Sequence, residues 1–240
     1  MRLFLTGATG NSGQAIARMA VEKGHEVTAF VRSAAKLEGL LGADLCARLS
    51  VVEGDVTDIK ALTDAMRGHE AVINAAGNAN DGDSYVPLVK GVITAAAEAL
   101  GQGGRFVMFG GAAALNVPGQ DITGINLPRI PAVFKQHEHT IKAVRATDLD
   151  WSMMCPGPMV DGPLHDGLRV SVDIWPVDGP KVTFPKIAMS LAFLRKMPEM
   201  IVSYTDVAQV VLDHLDKGGP YACARVGVAL PEGMKGKKDF

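Results

Sequence analysis

Apolar residues along this chain gather in short runs. Each run is closed by glycine or a polar turn before a longer stretch of helical spacing begins. Leu3, Phe4 and Leu5 form the first run. Gly7, Gly10 and Gly13 follow, and from 14 to 23 the apolar positions recur every three or four residues, which predicts a helix. Strand-like runs return at 26–31, 49–52, 71–74, 105–109 and 151–155. Helical patterns separate them at 33–48, 58–67, 84–100 and 132–146, the first broken by glycines near its middle. Strands alternating with helices of this length predict an α/β fold, a doubly wound parallel sheet covered on both faces.

Beyond Pro156 the alternation breaks. Residues 157–186 are rich in Pro, Gly and Asp and carry only short apolar pieces, LRVSV and KVTF. A long irregular segment reads as a lid or pocket. The stretch 157–202 is therefore expected to serve a substrate, with 164–184 as its most apolar wall. A helix is expected again at 203–215, capped by Ser203 or Thr205 with Asp206 in its first turn. Residues 221–230 predict a late strand, and 231–240 a frayed tail.

With 240 residues, 48% of them hydrophobic, the chain is long enough for one substantial domain, and 1–240 is read as such. A formal net charge of -2 gives no electrostatic reason to expect a nucleic acid or a membrane surface as partner. Cys46, Cys155 and Cys223 are few, odd in number and far apart, which reads as free thiols in a reducing compartment. MRLFLTG lacks the features of a signal peptide, and no apolar run reaches the ~18 residues of a membrane span. The expected location is the cytoplasm.

The glycine turn carries the first chemistry. Gly7 permits a sharp exit from the strand, Gly10 lets backbone approach a pyrophosphate, and Gly13 lets the next helix pack on the sheet. The helix start then offers N–H groups and a positive dipole end to phosphates, with Asn11 and Ser12 able to add side-chain hydrogen bonds. A turn with only a packing role is the alternative. The second strand ends Phe30-Val31-Arg32-Ser33, with Lys36 one turn on and no carboxylate where an NAD site usually has one. Arg32 and Lys36 suit a 2′-phosphate, which selects NADP(H) over NAD(H). The alternative is a pair of solvated cations. After the third strand, Asp55 can accept from an adenine amino group while Val56 packs on the ring. After the fourth, Asn74-Ala75-Ala76-Gly77 leaves room for ribose and diphosphate. Both stretches are also ordinary turn chemistry.

Together TGATGNSG, VRS, GDVTD, NAAG and LDWSMMCPGPM resemble the atypical short-chain dehydrogenase/reductases, the NAD(P)H-binding group that includes NmrA-like proteins. Within it the pattern is similar to the biliverdin reductase B and flavin reductase branch. The resemblance runs from the N-terminus to about Met159 and resumes at VSYTDVAQVVLDHL. It implies a Rossmann fold with NADP(H) lined by Gly7, Asn11, Ser12, Gly13, Arg32, Asp55, Val56, Ala76 and Gly77; Thr9, Gly10 and Lys36 stand beside these as candidate cofactor residues. Pro156, Gly157 and Pro158 would sit beside the nicotinamide.

The chain departs from the family at the proton relay. None of Tyr85, Tyr204 and Tyr221 is followed by lysine at Tyr-x-x-x-Lys spacing. Counting back from Trp151 places the lysine position near His137 and the tyrosine position near Val133. His137 is thus the candidate proton donor near neutral pH, with Glu138 to orient it or hold the helix start. A solvated helix face is the alternative. His137 and His139 lie two apart on a helix and face different ways, so no metal is expected. The methionines 153, 154, 159 and 189, with Trp151 and Trp175, suit either a flat acceptor or plain core.

The reading that joins these features is an NADPH-dependent reductase. It would pass hydride to a small conjugated molecule of flavin or quinone type, with no nucleic acid or membrane partner. Monomer and dimer both remain open. An NADP(H)-binding sensor without turnover is the alternative, and a nucleotide-sugar epimerase or dehydratase relative is a weaker one.

Overall fold

The computed structural model describes residues 1–179 and 186–238. The chain alternates β1 (Arg2–Thr6), α1 (Asn11–Glu22), β2 (Glu26–Val31), α2 (Ala34–Leu41), α3 (Ala43–Cys46) and β3 (Ser50–Glu53). It continues through α4 (Ile59–Met66), β4 (Ala71–Asn74), α5 (Tyr85–Leu100), β5 (Arg105–Phe109), α6 (Gln136–Arg145) and β6 (Asp150–Met154). The remaining elements are β7 (Met159–Val160), β8 (Arg169–Val172), α7 (Lys186–Lys196), β9 (Val202–Ser203), α8 (Tyr204–Leu212) and β10 (Ala224–Ala229).

Among the described residues the main sheet has the order β3-β2-β1-β4-β5-β6-β10-β8. Every neighbouring pair in it is parallel except β10 with β8. The order reverses between β1 and β4, and that crevice is where an open sheet of this kind receives ligands. Alternation within β1 shows why the strands read as unbroken apolar runs. Phe4 packs with Phe30, Phe106 and the helices α4, α5 and α6 on one face. Leu3 and Leu5 pack with Ile16, Leu37 and Val211 from α1, α2 and α8 on the other. Successive side chains point to opposite faces, and both faces are buried. Each such residue contributes ~1.5–3 kcal/mol by burial.

The helical stretch 33–48 breaks at a glycine, as its sequence predicts: Gly42 takes φ 88°, outside the helical region, between α2 and α3. Two other expectations need correction. LRVSV is a strand: Arg169 to Val172 pairs antiparallel with β10 and closes the edge of the sheet. KVTF lies outside the described residues. The tail does not fray over its described part. Gly236 N donates to the Pro198 carbonyl at 2.8 Å, and Lys238 Nζ to the Met159 carbonyl at 3.0 Å. Among the described residues no helix is long and apolar enough to cross a membrane.

Candidate active site

β1 and β4 reach the crevice side by side, and their ends are tied together. Thr6 Oγ1 donates to Asn74 Oδ1 at 2.6 Å, and the same oxygen accepts from Ala76 N at 3.1 Å. Gly7 then turns the chain with φ 74°, so close to the Ala75–Ala76 backbone that a Cβ would overlap it. A Cβ on Gly13 would overlap the Gly7 carbonyl. These two glycines are therefore required by packing. Gly10 differs: a Cβ there would meet nothing nearer than the Gly7 carbonyl oxygen at 3.4 Å. It precedes α1 as a helix cap without side-chain hydrogen bonds, so the first N–H groups of α1 have no capping acceptor. An uncapped helix start beside an open glycine fits a pyrophosphate.

A cleft of about 780 Å³ opens from this helix start. Gly10, Asn11 and Ser12 line it together with Ala75, Gly77 and Pro156 to Pro158. Phe109, Phe134, Met159, Phe193 and Met197 supply apolar walls. Of the expected cofactor residues, the cleft thus gathers Gly10, Asn11, Ser12, Gly77, Pro156, Gly157 and Pro158. Gly7, Thr9, Gly13 and Ala76 lie in the adjoining backbone and do not line it. Arg32, Lys36, Asp55 and Val56 lie further along the same edge of the sheet, beyond the ends of β2 and β3. Asp55 accepts from Thr57 N at 2.9 Å and Thr57 Oγ1 at 2.8 Å. Those two bonds, with a smaller contribution from the Arg32 charge, hold its carboxyl below the usual range. Asn11 Nδ2 donates to Tyr204 Oη at 3.1 Å, which fixes the side chain at the cleft mouth.

His137 does line the cleft, and it is buried there. It is 4% exposed, stacked on Phe134 at 9°, and its Nδ1 lies 3.2 Å from Tyr85 Oη. Burial brings its pKa down to about 4, so at neutral pH it is the uncharged imidazole. Any proton it gave at neutral pH would therefore be the ring N–H of the neutral form. Glu138 does not orient it; that carboxylate accepts from Asn126 Nδ2 at 3.3 Å on the exposed side of α6.

Two further corrections concern the walls. The described part of 164–184 does not line the cleft; β8 carries it to the edge of the sheet instead. The second wall comes from the loop 129–134 and from α7. Met153, Met154, Met189, Trp151 and Trp175 are core residues, leaving Met159 as the wall methionine of the set. Sequence reasoning missed Tyr85, Tyr204 and Lys238. Tyr85 had one usable signal, its place in the first turn of the helix that follows NAAG. It missed Glu53 too: that carboxylate ends β3, yet its Oε1 accepts from Ala34 N at 2.6 Å beside Arg32.

Residues 7–217 match the model of a family described as NAD(P)H-binding. The chain belongs to that family. Membership agrees with the resemblance carried by the glycine turn, and places the chain among NAD(P)H-binding proteins on a Rossmann fold. It is 28% identical over 169 residues to the uncharacterized protein YwnB of Bacillus subtilis, covering 67% of this chain and 74% of that one. Among solved structures it is similar to a candidate NADH-flavin reductase of Streptococcus pneumoniae, with a TM-score of 0.69 and 25% identity over 96% of this chain and 99% of that one. ChuY, an anaerobillin reductase of Escherichia coli O157:H7, shares the fold with a TM-score of 0.65 and 16% identity, each chain covered in full.

Proposed function

We propose that this NAD(P)H-binding protein is an NADPH-dependent reductase of a small, flat, conjugated acceptor of flavin or quinone type. One observation carries the reading. The cleft joins an uncapped helix start to aromatic and methionine walls, and its buried polar pair, Tyr85 and His137, is uncharged at neutral pH. Such walls suit a planar ring system, and an acceptor of that kind needs no Tyr-x-x-x-Lys relay. The similarity to a candidate NADH-flavin reductase supports the same class.

When bound, the dinucleotide supplies the hydride. The residues of this chain do the rest. Gly10, Asn11 and Ser12 receive the pyrophosphate, with Gly7, Thr9 and Gly13 shaping the turn beneath. Arg32 and Lys36 face the 2′-phosphate, Asp55 and Val56 the adenine, and Ala76 and Gly77 the ribose. Pro156, Gly157 and Pro158 pack on the nicotinamide side, and Phe109, Phe134 and Met197 hold the acceptor flat and exclude water. The proton that completes reduction comes from solvent at the cleft mouth, since a conjugated acceptor of this kind needs no positioned acid.

The missing Tyr-x-x-x-Lys pair favours a second reading, an NADP(H)-binding sensor without turnover. One experiment separates the two: steady-state NADPH oxidation with a panel of flavins and quinones, run beside a cofactor titration. Turnover with at least one acceptor supports the reductase. Tight NADPH binding with every acceptor inert supports the sensor, and no binding of either cofactor overturns both.

A further inference from the structure

We infer that Glu53 is a second determinant of cofactor choice, acting against Arg32. The inference rests on the cofactor reading above. β2 and β3 run parallel with Val31 opposite Glu53, so the last residue of β3 stands level with the point where β2 hands over to Arg32. Its Oε1 accepts from Ala34 N at 2.6 Å, the first residue of α2. The start of α2 is further occupied by Ser33 Oγ, which accepts from Lys36 N at 3.2 Å. A 2′-phosphate bound by Arg32 would seek these same N–H groups at the positive end of the helix. One of them already holds a carboxylate.

The local charge points the same way. Two cations, Arg32 and Lys36, share this corner with two carboxylates, Glu53 and Asp55, and Arg32 lies near enough to Asp55 to hold its proton affinity down. A 2′-phosphate brings a charge near −2 to a corner that is neutral in sum. A 2′-hydroxyl brings none, and it can donate to the carboxylate as the acid of an NAD site does. Glu53 therefore disfavours NADP(H) and tolerates NAD(H), so the intact chain separates the two less sharply than its Arg32 would alone.

Titration calorimetry on wild type and Glu53→Gln, with NADPH and NADH, tests this. The amide keeps an acceptor for Ala34 N–H and removes only the charge, so an unchanged melting temperature checks that α2 is intact. The expected result is NADPH binding tightened about three- to tenfold, NADH altered by less than about twofold, and a gain that shrinks as salt is raised. NADPH affinity that is unchanged or weakened overturns the inference, and so does equal tightening of both cofactors. A wild type that binds neither cofactor overturns the functional reading, and the role of Glu53 falls with it.

Discussion

Tyr85 from α5 and His137 from α6 meet inside the cleft, phenol Oη 3.2 Å from imidazole Nδ1 with the rings nearly perpendicular at 87°. Neither side chain belongs to a Tyr-x-x-x-Lys pair, and burial acts on both. It pushes the phenol up to about 12 and the imidazole down to about 4. Each is therefore held in its uncharged form by the same apolar surroundings that would hold a flat acceptor.

This has a consequence for stability. The unfolded chain binds a proton at His137 near pH 6.5, whereas the folded chain resists it down to about 4. Between those values the unfolded state holds more protons, so stability falls as the pH falls. The contribution is whole above 6.5, and roughly 2 kcal/mol of it is gone by pH 5. Urea unfolding of wild type and His137→Gln at pH 7.5 and pH 5 measures this. The acid loss is expected to be smaller in the variant by about that amount, and an equal loss in both would mean that His137 is solvated.

Catalysis should reflect the same neutrality. Losing a general acid commonly lowers a rate by ~10²–10⁴-fold. His137→Ala is expected to lower turnover on an accepted flavin or quinone by less than about 100-fold, with NADPH affinity intact. The wild-type rate should carry no ionisation between pH 5.5 and 8 that the variant lacks. A limb near 6.5 that vanishes with His137 would restore the charged imidazole as proton donor.

The glycine turn allows folding and binding to be separated. Gly13→Ala would press a methyl into the Gly7 carbonyl, and backbone there has no room to yield. That variant is expected to lose about 3 kcal/mol or more, in the range of overpacked or strained sites. Gly10→Ala meets only an oxygen at 3.4 Å, so the fold should survive with nearly its full melting temperature. A methyl facing the pyrophosphate should nevertheless weaken NADPH by at least about tenfold. Thermal melts and a fluorescence titration on the pair check both halves. Wild-type affinity in Gly10→Ala would move the phosphate site elsewhere.

Much of this architecture was legible in the chain because its signals are local. The run Leu3 to Leu5, the three glycines and the helical spacing after them define β1, the turn and α1 without reference to anything distant. Parallel strands buried on both faces leave unbroken apolar runs, and all six early ones are strands. The parts that failed to read depend on contacts far apart in sequence. LRVSV becomes a strand only because β10, more than fifty residues later, offers it an edge. Tyr85 and His137 are 52 residues apart, and a search for tyrosine and lysine on one helix passes over a tyrosine and histidine on two. Glu53 reaches Ala34 across 19 residues, from a strand whose end gives no sign of which helix lies beside it.

The far end of the sheet carries the last prediction, and it concerns stability alone. Arg105 and Asp150 open β5 and β6 at the opposite end from the cleft, and the Arg105 side chain is 2% exposed. Its guanidinium donates to Asp150 Oδ1 at 3.3 Å, Ser152 Oγ at 2.8 Å and the His214 carbonyl at 2.8 Å. Asp150 Oδ2 accepts from Gly218 N at 2.6 Å, which ties in the approach to β10. A buried pair of this kind adds little over well-packed apolar residues, but breaking it on one side strands a charge. Asp150→Ala is therefore expected to cost about 3–5 kcal/mol in urea unfolding. The double variant Arg105→Met with Asp150→Ala should cost clearly less than the two single changes summed, because no charge is then left without a partner. NADPH affinity of the folded variants should stay at the wild-type value, since β5 and β6 meet the cleft only at their other ends. Strict additivity in the cycle would show that the two groups act independently, through Ser152, His214 and Gly218 rather than through each other.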